Sequence, residues 1–159
     1  MASKSDFTPE EWQTIGLAPV VTAMYISMAD PSGPIGLMKE MFAAVSGIIE
    51  GAKDAASLQI VKDLAADLEA RAIKPDLPKF SSKEEAKTFA VNTVNQAIAL
   101  VEGRSPEEGR AFRQFLYDTA QKAAEAGKEG GFLGFGGTAV SDLERQALAE
   151  LASALGLAA

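Results

Sequence analysis

Residues 12–38 read WQTIGLAPVVTAMYISMADPSGPIGLM and carry a single charge, Asp30. A run this long and this apolar is either a membrane span or the centre of a folded core. A span needs about 20 predominantly apolar residues in one continuous helix. Gln13, Thr14, Thr22, Ser27 and Asp30 dilute this one, and Gly16, Pro19, Pro31, Gly33 and Pro34 interrupt it. The stretch therefore reads as core helices separated by a turn, with no membrane span. Asp30 falls where the helical pattern gives way to Pro31-Ser32-Gly33-Pro34.

Outward from this stretch, helix starts are legible. Thr8-Pro9-Glu10-Glu11, Ser82-Lys83-Glu84-Glu85, Ser105-Pro106-Glu107-Glu108 and Ser141-Asp142-Leu143-Glu144 each match the capping box. In that motif a hydroxyl accepts from the third helical amide and a Glu reaches back. Phe7 and Trp12 stand at the spacing of a hydrophobic staple. Pro19 sits poorly in a helix interior, so the first helix is expected to end near Gly16 and a second to cover residues 18–29. A turn over 30–36, helices over about 37–50 and 54–72, and a linker at 74–78 follow.

Ala86, Phe89, Ala90, Thr93, Val94, Ala97, Ile98 and Val101 form one helical face. The next helix, from Pro106, is expected to bury Phe112, Phe115, Leu116, Thr119, Ala120 and Ala123. The last, from Asp142 to about Leu155, shows Leu143, Ala147, Leu148, Leu151, Ala152 and Leu155. No segment alternates with period two. The expectation is an all-α single domain over residues 1–159, a bundle of six or seven helices. Ala29-Asp30 before a glycine-bearing turn and Glu40 is echoed by Ala124-Glu125, a longer glycine-bearing turn and Glu144. That suggests two quasi-repeated halves, 7–73 and 82–157, joined by a linker at 74–81.

Composition narrows the chemistry. The chain has no cysteine and no histidine, so thiolate chemistry, disulfides and imidazole ligands are absent. Any metal would be a hard cation held by oxygen. Net charge is −7 with a pI near 4.7, and no run of Lys or Arg forms a basic stripe, which argues against nucleic acid. The N-terminus lacks the apolar core of a signal peptide, so a cytoplasmic location is expected.

Four features invite a functional reading. Asp30 and Glu40 flank the turn and could bind Ca2+ or Mg2+ between them; alternatively, Asp30 shapes its own turn and Glu40 is a solvated helix residue. The loop Gly130-Gly131-Phe132-Leu133-Gly134-Phe135-Gly136-Gly137 lacks the context of a phosphate cradle. Phe132, Leu133 and Phe135 either cap the core or make a contact with a protein partner or a second copy. The pairs Glu10/Glu11, Glu84/Glu85 and Glu107/Glu108 resemble catalytic carboxylates, yet acids favour helix N-termini for electrostatic reasons alone. Arg104, Arg110 and Arg113 read as a surface ion-pair face.

Met28-Ala29-Asp30, the glycine of Pro31-Ser32-Gly33 and then Lys39-Glu40 resemble the tellurite-resistance TerB-like family. The resemblance implies an all-helical, cytoplasmic, stress-associated protein with a weak divalent-cation site at Asp30 and Glu40. The functional expectation is a non-enzymatic binding or assembly module with no organic cofactor. The alternative is an interaction or self-assembling scaffold subunit that uses Phe132, Leu133 and Phe135 and no metal.

Overall fold

The computed structural model describes residues 1–29, 33–54, 56–126 and 140–157, with residues 33–40 described by backbone alone. Among the described residues, six α-helices follow one another: α1 Pro9–Ser27, α2 Gly33–Gly51, α3 Gln59–Glu69, α4 Lys83–Arg104, α5 Gly109–Ala126 and α6 Asp142–Ala154. Short 3-10 turns at Lys4–Asp6 and Pro106–Glu108 precede α1 and α5. No strand occurs among the described residues. The all-α expectation holds, and helices of both sequence halves build one domain.

The uncharged run explains the architecture. Every residue of α1 from Ala18 to Ser27 is buried, because α4, α5, α2 and α6 all pack against it. A helix apolar on all sides belongs in the centre of a bundle. Its buried hydroxyls bond back along the helix, Thr22 Oγ1 to the Ala18 carbonyl at 2.7 Å and Ser27 Oγ to that of Ala23 at 3.0 Å. Among the described residues, no helix is long and apolar enough to cross a membrane.

The expected break near Gly16 does not occur, and Pro19 lies inside α1. Its missing amide and ring clash cost about 3 kcal/mol. Burial of Val20, Val21, Met24, Tyr25 and Ile26 around it contributes about 1.5–3 kcal/mol for each large side chain, so packing wins. Gly16 serves a different end. A Cβ built there would stand 2.9 Å from Ile73 Cδ1, so the missing side chain lets the segment after α3 press buried Ile73 onto α1.

Other boundaries also differ from expectation. α2 begins at Gly33, four residues early, since Pro34 in the first turn sacrifices only an amide that has no partner there. It continues through Gly51, expected to separate two helices. α3 begins at Gln59, because Asp54 Oδ1 accepts the Ala56 N–H at 2.9 Å and makes a turn instead. It ends with Arg71 in the left-handed region, φ 55°, where the Ala72 N–H reaches the Asp67 carbonyl.

Two of the four expected capping boxes close, at Thr8/Glu11 and Ser141/Glu144. Ser82 caps Glu85 N–H, but the Glu85 carboxylate turns to Ser81. At Ser105 the hydroxyl donates to Glu107, and Glu108 turns inward to the Ala2 N–H at 2.6 Å. The staple forms, with Phe7 and Trp12 rings stacked 6.1 Å apart. The α4 face is buried as expected except for half-buried Phe89. On α5, Phe115 is likewise half-buried. On α6, Leu143 is 55% exposed, because Glu144 takes the inward position while closing its box.

Candidate functional site

α5 presents Ala111, Gln114, Phe115, Asp118, Thr119 and Lys122 at three-and-four spacing, one stripe along its length. Opposite stand Gly47 and Gly51, one turn apart on α2, and the turn residues Ala56, Ser57 and Leu58 leading to Val61 of α3. Together they enclose a groove of about 300 Å³.

The two glycines make room for Lys122. A Cβ at Gly47 would lie 3.1 Å from Lys122 Cδ, and one at Gly51 would lie 3.9 Å from its Nζ. The lysine stem therefore runs across α2 and sets its ammonium by the helix C-terminus, where a cation is favoured. Ser57 Oγ donates to the Gly51 carbonyl, which satisfies another helix-end acceptor. On the other rim Gln114 Nε2 donates to Asp118 Oδ1 at 2.8 Å. Half-buried Leu58 and Phe115 supply apolar surface between the charges, with Val61, almost wholly covered, at its base. An apolar surface with a few polar groups at its rim is the general form of a ligand-binding site.

The sequence did not single out this groove. Gly47 and Gly51, one turn apart in the last part of a largely apolar helix, were its available signal, since such glycines allow close approach. The matching stripe on α5 looks like an ordinary solvated face until α2 lies beside it.

Of the residues expected to form sites, Asp30, Phe132, Leu133 and Phe135 lie outside the described residues. Glu40 lies on α2, seven residues after Gly33, hence about 10 Å along the axis at 1.5 Å per residue. Among the described residues, no group of three or more Asp or Glu side chains could hold a metal ion. Ala124 and Glu125 fall in the last turn of α5, whereas Ala29 follows the end of α1.

In each acidic pair one member, Glu11, Glu85 or Glu107, is engaged by a neighbour in its own helix start. Glu11 closes its capping box and lies 3.5 Å from Arg104, and Ser105 lowers the Glu107 carboxyl below its ordinary range by hydrogen bonding. Glu85 is lowered in the same way by Ser81. The arginines do not form one face. Arg104 reaches Glu11 and the Asp6 carbonyl, whereas Arg113 reaches Glu102.

One further gap, about 10 Å³, lies between Thr22, Tyr25, Ala90, Val94 and Leu151. It is apolar and no larger than a water molecule requires, so it is a packing fault rather than a site. Burial pushes the Tyr25 hydroxyl up, aided by its hydrogen bond to Glu150 at 3.1 Å. Comparisons with protein-family models, curated proteins and solved structures each found no match.

Proposed function

We propose that this chain is a non-enzymatic helical binding module that takes a small ligand or a partner's side chains in the groove between α2, α3 and α5. The groove itself carries the reading: about 300 Å³ bounded by three elements, apolar along Leu58, Val61 and Phe115 and edged by Lys122, Asp118 and Gln114. Its size stands at the lower end of small-molecule sites. Filling it tests the reading. Ala111 is exposed at its edge, so Ala111→Trp occupies the space with little effect on the core. Ligand-observed NMR with a fragment set should find binders to the wild type that Ala111→Trp excludes. The absence of any binder, or equal binding by the variant, rules the groove out.

The resemblance to TerB-like proteins adds a cytoplasmic stress-associated role and a weak cation site at Asp30 and Glu40 to the proposal. Calorimetry with Ca2+, Mg2+ and Mn2+ tests it, with heat of binding expected for the wild type and lost in Asp30→Asn. A second reading is a self-assembling or interaction subunit. It is favoured by Phe42, which projects from α2 with 74% of its surface exposed, because large exposed aromatics are enriched at interfaces. In that reading Phe132, Leu133 and Phe135 contribute to the same role. Phe42→Ser should then lower the mass measured by light scattering at high concentration, and an unchanged mass discards self-association through α2.

A further inference from the structure

Residues 2–7 lie across the outside of the bundle and are held differently from the helices. The Ala2 N–H donates to Glu108 Oε2 at 2.6 Å and the Lys4 N–H to Asp63 Oδ2 at 2.9 Å. Lys4 Nζ lies 2.6 Å from Asp67 Oδ2. Arg104 Nε donates to the Asp6 carbonyl at 3.0 Å, and its guanidinium stands over the Phe7 ring at 5.8 Å. Asp6 N–H to the Ser3 carbonyl and Phe7 N–H to the Lys4 carbonyl are internal to the segment. Among the described residues, no backbone-to-backbone hydrogen bond joins residues 2–7 to the rest of the molecule.

Each of these polar ties therefore ends on an ionised side chain. Helices are held by neutral backbone acceptors, whereas these ties depend on the charge of a side chain and the stronger hydrogen bonds that charge supports. The charged groups facing the segment come from every element around it. Asp63 and Asp67 stand on α3, Arg104 on α4, Glu108 on the turn before α5, and Glu11 on α1 beside Arg104. An open hollow of about 660 Å³ bounded by Ser3, Lys4, Gln59, Asp63 and Asp67 brings solvent up to these ties.

We propose that residues 2–6 form a latch, fastened by Glu108, Asp63 and Asp67, that opens as one unit while the helices stay folded. The stacked pair Phe7 and Trp12 is its pivot, since Trp12 is buried in α1; the Trp12 indole N–H donates at 2.8 Å to the same Asp67 Oδ2 that holds Lys4. Release uncovers the acidic face of α3 and the berth of Ala2, which is 2% exposed when docked.

Amide hydrogen exchange on the full chain tests the latch. The variant Asp63→Ala with Glu108→Ala removes two anchors, and alanine is the better helix former at position 63. At neutral pH, residues 2–7 of the variant should exchange about tenfold faster or more, the effect of losing bonds to charged acceptors. Residues 18–27 should keep their protection. Undiminished protection of residues 2–7, or an equal loss in α1, overturns the proposal. The milder variant Asp63→Asn with Glu108→Gln, whose neutral amide oxygens accept weaker bonds, gives an independent reading at neutral pH should the alanine variant fail to fold. Selective loss at residues 2–7 is expected after correction for the intrinsic rate. Loss along the whole chain together, or none, overturns it.

Discussion

Arg113 grips Glu102 Oε1 from two nitrogens, Nε at 3.0 Å and Nη2 at 2.8 Å, and donates its third, Nη1, to the Leu155 carbonyl at 3.0 Å. One side chain thus joins α4, α5 and the end of α6. Gly109 belongs to this arrangement, because a Cβ there would stand 2.5 Å from Glu102 Cγ and Oε1. The carboxylate can lie against α5 only where no side chain projects.

Arg113→Lys should lose about 1 kcal/mol in urea unfolding, since an ammonium cannot reproduce the fork. The side chains are 28% and 37% exposed, so solvent screening keeps the effect near that of surface pairs. Gly109→Ala should displace Glu102 and abolish most of the further loss caused by Arg113→Lys. Additive losses in a double-mutant cycle would contradict the shared geometry.

Gly16 and Ile73 predict a second coupling. Gly16→Ala gains about 1 kcal/mol of helix preference but drives Cβ to 2.9 Å from Ile73 Cδ1, and overpacking costs about 1–3 kcal/mol. A net loss of about 1 kcal/mol is expected by thermal melting. Adding Ile73→Val, which removes Cδ1, should recover part of it.

Asp67 predicts a pH dependence. Burial raises its carboxyl, but the hydrogen bonds from Lys4 and Trp12 outweigh burial and hold it below its usual value of 3.8. A folded-state value below the unfolded one stabilises the fold above the ordinary carboxylate range, and the gain disappears as pH falls through the lower folded value. Asp67→Asn should therefore be less stable than the wild type at pH 7 by about 1 kcal/mol, with the difference shrinking below about pH 4. A difference that grows in acid would refute the assignment.

Two helix ends share one hydrogen-bond pattern with different residues. After α3, Ala72 N–H reaches Asp67 O around Arg71 at φ 55°; after α6, Leu157 N–H reaches Ala152 O around Gly156 at φ 66°. A side chain in this region costs about 1–2 kcal/mol. Arg71→Gly should stabilise by up to about 1 kcal/mol once the greater freedom of the unfolded chain is deducted. Gly156→Ala should destabilise by about 1 kcal/mol. Melting temperatures of the two variants should move in opposite directions.

The all-helical class, the starts at Thr8, Ser82 and Ser141, the staple of Phe7 on Trp12 and the α4 face were all legible in the sequence. Each depends on residues within a turn or two of one another, so local spacing states the physics completely. The candidate groove was not legible, because its halves lie on α2 and α5, far apart in the chain. The site expectations at Asp30, Phe132, Leu133 and Phe135 fall outside the described residues, and Glu40 is placed by its backbone alone.

The run at 12–38, with its single charge, marks the division. The sequence by itself determined that the first part of this stretch, up to Ser27, is core and helical, since nothing else accommodates so many uncharged residues with so little alternation. Only the tertiary structure decided that α1 passes unbroken through Pro19, because the opposing burial energy comes from helices that surround it. The same holds for Glu108, which local spacing assigned to a helix cap and which the fold turned toward Ala2. Local preferences of about 1–3 kcal/mol prevail where the chain is exposed and yield where several buried side chains act together.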